Sequence, residues 1–531
     1  MKTMRNSKSN LCRRAIAASL AFAAFAAFGA ADYRLSVDGV PVMVEKCRVS
    51  AMPFNAIWPG HQRPKWQTED AAFADFDVTR PVRVTVEAPR DFTNVTVRPL
   101  SRGIRPTVEG RRISFTIDRP GFFSVEPDSR HGNLHLFANA PERDIPSPKD
   151  VKYWFGPGEH EVGRIALGSG ETVYLAKGAV VHAMIYAVDA TNVTVRGRGI
   201  LEGSRTIRDL TPDGMRHHLL MFERCRGVTV RDVTMRDSPE WSLVTLDSTD
   251  IAVENVKTIG MWRYNSDGFD FCNSSRIRVK GCFLRNFDDC LDFKGIGTKA
   301  GYWMVTLDPV HYPLHRPYDV TDVRCEDCVI WCDWGGSLQI GIETTADRMA
   351  GFVFRNIDVI RASAAPLRIG HIGRAEISDV LFDDIRVEYA AEDDERPVVG
   401  TGAYDERYVA KKGRPSGVVD FFIETSPDKA PERPGTARDI AIRNLALFMP
   451  PGMETPAIKI KDGDATHRFD NVTVEGFSVN GVPCEPRIVW LKDGARRCMR
   501  SCCSRPISSA SCAVPRTMLN IPCLSRGVSV R

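Results

Sequence analysis

A short motif that returns between residues 228 and 477 constrains this chain more than any other feature. Two alternating apolar residues are followed by a polar or glycine residue and a further apolar one. The first copies read Val228-Thr-Val-Arg-Asp-Val233, Ile251-Ala-Val-Glu-Asn-Val256, Ile277-Arg-Val-Lys-Gly-Cys282 and Val323-Arg-Cys-Glu-Asp-Cys328. Later copies begin at Phe352, Val380, Ile440 and Val472, and the nearest starts lie 23, 26, 28, 29 and 32 residues apart. A unit that short cannot bury a face alone, so the units must stack. Strand-length runs without helical periodicity predict an all-β parallel β-helix, over about residues 150–490. A propeller is excluded by the spacing, since its blades need roughly 40 residues and more hairpins.

Ahead of the repeats, residues 33–140 alternate apolar and polar in short runs: Arg34–Val37, Val82–Glu87, Val95–Arg98, Arg112–Ile117 and Phe122–Glu126. Turn pairs such as Asp38-Gly39 and Glu109-Gly110 separate them, which predicts a small antiparallel β-sandwich over 32–140. The Pro-rich stretch 141–148 reads as the link onward.

The two ends differ in composition from everything between them. Residues 1–31 are basic up to Arg14, Ala-rich over Ala15–Ala31 and closed by Gly29-Ala30-Ala31, the form of a secretory signal. A secreted or periplasmic protein is expected, with no membrane association after cleavage. Residues 495–531 hold seven Arg, no acid and five of the chain's 15 Cys, and read as a disordered or spurious tail. With those two segments set aside, 59 basic side chains face 67 acidic ones, although the whole chain is formally +4. Nucleic acid is excluded as a partner by that sign. The nine Cys of residues 32–494 need not pair, because buried free Cys packs as a small hydrophobe. No zinc site is expected at Cys325, Cys328 and Cys332, which have no partner pair at a suitable distance.

The chemistry concentrates in two segments that repeat at 22 residues, Asp267-Gly-Phe-Asp-Phe271 and Asp289-Cys-Leu-Asp-Phe293. Twenty-two residues is one coil, so the pairs stack about 4.8 Å apart, and Asp267, Asp288 and Asp289 converge on an outer face. Stacked carboxylates raise one another's pKa, a cost that a purely structural sequence tends to avoid. A glycosidase needs such a set, one carboxyl protonated for the leaving oxygen and others ionised to activate water. Turn decoration or a Ca²⁺ site is the alternative.

Asn265-Ser266-Asp267-Gly268 followed by Asp288-Asp289-Cys290 resembles the polygalacturonase family of glycoside hydrolases. Gly197-Arg-Gly-Ile-Leu-Glu-Gly203 and Ser238-Pro-Glu-Trp241 fit the same resemblance, which runs from about Glu159 to Arg368. It implies a right-handed β-helix and hydrolysis with inversion. It also implies Asp288 as general acid, with Asp267 and Asp289 positioning and deprotonating the water. Two of the family's motifs depart here. No His occurs at Gly335-Gly336-Ser337, and Arg368-Ile369-Gly370 lacks the Lys that meets a galacturonate carboxylate. The three aspartates and a leading sandwich are shared with the sister dextranases and isopullulanases, whose substrates are neutral glucans.

The sequence therefore predicts an inverting glycoside hydrolase acting on a polysaccharide or oligosaccharide, without metal or organic cofactor. Expected sugar contacts or their supports are Trp241, Asp270, Asp292, Lys294, Glu343, Arg368 and His371. The alternatives are a pectate-type lyase, which needs Ca²⁺, and a non-catalytic β-helical adhesin or carbohydrate-binding protein.

Overall fold

The computed structural model describes residues 32–51, 68–206, 217–297, 305–307, 319–390, 395–397, 410–412, 417–425 and 434–491. The signal-like segment 1–31 and the tail 495–531 lie outside the described residues, as does much of 295–317 and 389–417.

From Tyr153–Phe155 to Ile488–Leu491, the described strands, apart from Glu395–Pro397 and Ala410–Lys412, which pair only with each other, join into one 29-stranded ladder whose pairings are almost all parallel. It winds as a right-handed parallel β-helix with three faces. The first face stacks Leu220–Glu223, Leu243–Leu246, Phe269–Cys272, Leu291–Gly295, Leu338–Thr344, Leu367–His371, Val419–Ile423 and Ile458–Lys461. The second face carries the paired apolar positions of the repeat, as in Arg226–Arg231, Thr249–Glu254 and Ser275–Lys280. The third face follows at once, as in Thr234–Arg236, Lys257–Ile259, Phe283–Asn286 and Val329–Cys332.

The fifth residue of the motif explains the corner between the second and third faces. Asp232, Asn255, Gly281, Asp327, Asn356, Asp384, Asn444 and Gly476 all lie in the left-handed region, with φ between 53° and 72°. Gly, Asn and Asp are the residues that enter this region at least cost. Inside the tube the apolar positions stack coil on coil. Phe271 lies on Phe293 with ring centroids 5.2 Å apart, and Phe354 on Phe382 at 4.9 Å. Each such buried ring contributes about 1.5–3 kcal/mol relative to exposure. Eight of the nine described cysteines are buried, and these eight form no disulfide among the described residues.

The residues before the helix form two five-stranded sheets around a core that includes Leu35, Val84, Ile113, Phe123 and Leu136. All five strand runs predicted there are strands. One pairing departs from the expected antiparallel pattern: Leu134–Asn139 runs parallel to Thr68–Asp77. The outer side of that second sheet packs on the third face of the helix, with Phe73, Phe122 and Phe137 meeting Ile259, Phe283, Val329 and Trp331. Beside this apolar contact lies a buried ionic joint. Arg98 meets Glu126 at 2.9 Å and Glu388 at 2.5 Å, and Arg361 meets Glu126 at 2.6 Å.

Candidate active site

The first face carries the acidic cluster, and the register explains why. Phe269 pairs with Leu291, Asp270 with Asp292 and Phe271 with Phe293, so the 22-residue repeat is one coil. Side chains alternate across a strand. The phenylalanines therefore fill the tube while Asp270 and Asp292 stand on its outside. The row continues one coil at a time through Gln339, Arg368, Asp420 and Lys459. Asp267, Asp288 and Asp289 occupy the turns leading into the first two of these strands.

Asp267, Asp288 and Asp289 each offer an oxygen to a triangle in which no two lie more than 4.8 Å apart. Asp267 is 2% exposed and Asp288 7%, whereas Asp289 is half-buried. Asn265 Nδ2 donates to Asp288 Oδ2 at 3.2 Å, and the Asp289 N–H donates to Asp288 Oδ1 at 3.0 Å. Asp289 accepts from the Gly336 N–H at 2.5 Å and from Gln339 Nε2 at 2.7 Å. Asp267 Oδ1 has no hydrogen-bond partner among the described residues. Burial, reinforced by the neighbouring Asp289, pushes the Asp288 carboxyl up to about 8. Burial followed by repulsion from Asp288, Asp270 and Asp289 holds Asp267 well above the ordinary carboxylate range.

Beneath this triangle lies a second layer. Lys294 ion-pairs with Asp292, lies 3.7 Å from Asp270 and 3.9 Å from Glu343, and sits 5.2 Å from the centre of the Trp241 ring. Burial pushes Asp270 and Asp292 well above their ordinary values even with Lys294 beside them. Lys294 is itself held well above its ordinary value. Burial opposes its charge, and Asp292, Glu343 and Asp270 outweigh burial. Gln339 ties the layers together, because its amide also donates to Asp292 at 2.8 Å while its carbonyl accepts from Arg368 at 2.9 Å.

Several residues expected as sugar contacts or their supports are deeply buried. Asp270, Asp292, Lys294 and Trp241 are 0%, 1%, 4% and 7% exposed, so they hold the wall from below. His371 is corrected more fully. It is 0% exposed, its Nδ1 is bonded to Thr344 Oγ1 at 2.8 Å, and burial pushes its ring down to about 4. A residue with no exposed surface does not contact a substrate in this geometry. Arg368 and Glu343 are half-buried and remain open to a ligand. Gln339 and the Gly336 N–H escaped the sequence reading. An insertion breaks the 22-residue spacing between Asp292 and Gln339, so the register could not be counted forward.

Two groups of described residues could hold a metal ion, namely the Asp267–Asp288–Asp289 triangle and Glu159, Glu161 and His182. The second is already closed by a cation, as Arg205 ion-pairs with both glutamates. No helix of the described residues is long and apolar enough to cross a membrane.

Residues 170–300 match the family model described as glycosyl hydrolases family 28. The chain is 30% identical over 118 residues to a probable exopolygalacturonase X of Aspergillus terreus, covering 20% of this chain and 27% of that protein. It is 24% identical over 273 residues to a dextranase of Arthrobacter sp. (strain CB-8), covering 42% of each. The chain thus aligns with less than half the length of these curated relatives. Among solved structures it superimposes on Dex49A from Penicillium minioluteum with a TM-score of 0.51 at 14% identity, over 85% of this chain and 89% of that one. The chain is related to the polygalacturonase-like glycoside hydrolases, with their family 28 signature running through Asp267, Asp288 and Asp289 on a parallel β-helix.

Proposed function

We propose that this protein is an exported glycoside hydrolase that cleaves a polysaccharide or oligosaccharide with inversion, using Asp288 as the general acid. The observation that carries this reading is the pairing of opposite environments in adjacent residues. Asp288 is buried with a pKa near 8, so it keeps a proton at neutral pH. Asp289 is half-buried and accepts two hydrogen bonds, from the Gly336 N–H and from Gln339 Nε2, whereas Asp288 is closed off from water. Environments that divide two carboxyls in this way assign the acid and the base.

In the proposed step Asp288 transfers its proton to the glycosidic oxygen as the bond to the anomeric carbon breaks. A water held between Asp267 and Asp289 attacks from the other side of the sugar and gives its proton to the cluster. Oxygens within 4.8 Å of each other can share one water, since each hydrogen bond spans about 2.8 Å. The cluster titrates as a unit, so its pKa values belong to the set.

The general separation rule pulls the other way. Inverting carboxyls usually stand roughly 6.5–9.5 Å apart and retaining ones about 5–5.5 Å. Here one oxygen of each carboxyl lies within 4.8 Å of the others, closer than the inverting range. The third carboxylate resolves the conflict, because water is held by a pair and not wedged between acid and base.

The test is reducing-sugar release by the protein and its Asp288→Asn variant, with the anomer of the first product read by NMR. Loss of about 10²–10⁴ in kcat and an inverted first product are expected. Full turnover in the variant removes Asp288 from the mechanism, and a retained anomer turns Asp267 or Asp289 into a nucleophile. The oxygen triangle also suits a hard divalent cation, which favours a second reading as a Ca²⁺-dependent lyase. The hydrolase reading expects EDTA to leave the rate unchanged and no ultraviolet-absorbing product to form.

A further inference from the structure

We infer that the leading sandwich is part of the active site. Asn133 and His135 reach through Arg285 to set the two turns that hold the acids, which makes Asn133, His135, Arg285 and Asp333 positioning residues for the reaction. The inference rests on the hydrolase reading for what that reaction is, while the contacts themselves stand apart from it.

The strand Phe283–Asn286 lies on the third face, under the sandwich. Leu284 belongs to the core of the tube, so Phe283 and Arg285 point at the sandwich. Arg285 is 1% exposed. Its Nη1 donates to Asn133 Oδ1 and to His135 Nε2, both at 2.8 Å. Burial, and then the charge of Arg285, holds the His135 ring well below its ordinary range, so the ring is neutral and Nε2 can accept. The guanidinium lies 4.0 Å from the centre of the Trp331 ring, one coil on, and Trp331 Nε1 donates to Asp333 Oδ1 at 2.8 Å. Arg361 also approaches that ring, at 5.5 Å, but its hydrogen bond goes to Glu126. Apolar packing already fastens this interface, at lower cost than a buried charge. What Arg285 adds is direction, because a planar fork pinned by two acceptors fixes the plane of the ring stacked on it.

The pinned residues run directly into the acid cluster. Only Asn286 and Phe287 separate Arg285 from Asp288. The Asn286 side chain accepts from Thr258 Oγ1 at 2.7 Å and donates to the carbonyl of Ser266 at 3.3 Å, the residue before Asp267. Phe287 stacks on Trp334 with ring centroids 5.3 Å apart. From the neighbouring coil, the Asp333 N–H donates to the Asn286 carbonyl at 2.9 Å and the Gly335 N–H to the Phe287 carbonyl at 3.2 Å. Gly336, the next residue, donates to Asp289. A shift at Arg285 therefore carries into the turn before Asp267 and the turn that grips Asp289. Every step between them is a covalent neighbour, a hydrogen bond or a stacked ring.

The experiment compares full-length Arg285→Lys and Asn133→Ala with the wild type, on whichever of dextran and polygalacturonate the wild type cuts. Asp267, Asp289, Lys294 and Arg368, the charged groups that act on Asp288, are untouched in both variants. Lysine keeps the charge at 285 but not the planar fork that lies on Trp331. Displaced turns admit water to Asp288, whose carboxyl then loses its proton at lower pH. The expected result is a kcat lower by about 10²-fold in Arg285→Lys and about tenfold in Asn133→Ala, with KM within about twofold and the alkaline limb of kcat moved down by about one pH unit. Asn133→Asp returns an acceptor to Arg285 and is expected to recover most of the rate. A lower Tm with kcat and the limb unmoved overturns the inference, and Asn133→Ala decides alone if Arg285→Lys does not fold. If the wild type cuts neither glycan, that failure belongs to the hydrolase reading, and thermal melts decide the inference. Asp288→Asn is then expected to flatten the decline between about pH 4 and 8 less in the Asn133→Ala background than in the wild type, and equal flattening overturns it.

Discussion

At the joint between sandwich and helix, two arginines and two glutamates are buried together. On the first face of the helix, five aspartates and a glutamate share one buried lysine. Both groups are largely out of water, with only Asp289 and Glu343 half-buried, yet their carboxyls behave differently. Glu126 has two arginines, Arg98 and Arg361, and despite complete burial is held down at about 2. Glu388 has Arg98 and the Leu100 N–H, and burial wins, lifting it to about 7. Asp288 faces another aspartate and rises to about 8. The number of cations per buried acid decides the outcome, because desolvation costs several kcal/mol per ion and only matched charge offsets it. A balanced cluster fastens two parts of the molecule, and an unbalanced one stores protons.

The comparison breaks first if the two clusters respond alike to removal of one member. Asp288→Asn replaces a buried carboxyl that is protonated at neutral pH with a neutral amide, so it is expected to lose about 10²–10⁴ in kcat while its Tm at neutral pH stays level or rises. Arg361→Met leaves Glu126 short of a partner and is expected to cost about 3–5 kcal/mol of stability, with kcat kept in the folded fraction. Denaturant unfolding and initial rates on both variants check this. A destabilised Asp288→Asn or a neutral Arg361→Met sinks the distinction.

A smaller effect comes from the Gly335 turn, where the acids meet the backbone. A Cβ on Gly335 would lie 2.4 Å from Asp289 N and 2.6 Å from Asp288 Oδ1. Gly335→Ala is expected to lower kcat by about 10²-fold, since small misplacements of catalytic groups cost that much. Steady-state kinetics show it, and unchanged kcat means the turn yields freely.

Much of this architecture was legible in the sequence. The repeat's apolar positions foretold the stacked coils, and the two Asp-x-x-Asp segments marked the coil that stacks Asp270 on Asp292. Gln339 was not legible, because 47 residues separate it from Asp292 and the insertion destroys the count. The joint was hidden for a related reason. Arg98 and Glu388 are 290 residues apart, on parts of the chain with different periods. Local patterning carries coil geometry, whereas contacts between two folded layers leave no periodic trace.

Proton linkage sharpens the comparison at a scale of a few degrees in Tm. Asp288 has a folded pKa near 8 against an ordinary 3.8, so the native state holds a proton that the unfolded chain releases, and stability falls as pH rises from about 4 to 8. Glu126 has a folded pKa near 2 against 4.5, so its contribution is present above 4.5 and is lost as pH falls toward 2. Thermal melts across pH are expected to show Asp288→Asn with a shallower decline between pH 4 and 8 and an unchanged acid limb. Some decline persists through Glu388 and the other raised aspartates. Identical profiles for variant and wild type place the proton elsewhere.

The smallest effect tests the corners, which belong to neither cluster and set the background against which both are judged. Asn255 turns the chain from the second face to the third at φ 53°, and its Nδ2 donates to Asp232 Oδ1 at 2.7 Å, one corner to the next. Asn255→Ala keeps the left-handed backbone but loses both the residue suited to it and the hydrogen bond, at about 1–2 kcal/mol. Asn255→Gly loses only the hydrogen bond and is expected to cost less, in spite of glycine's greater freedom in the unfolded chain. If alanine is the better tolerated of the two, the corner is held by the stacked coils around it, and the Asp, Asn and Gly of the motif are no longer what bends the chain.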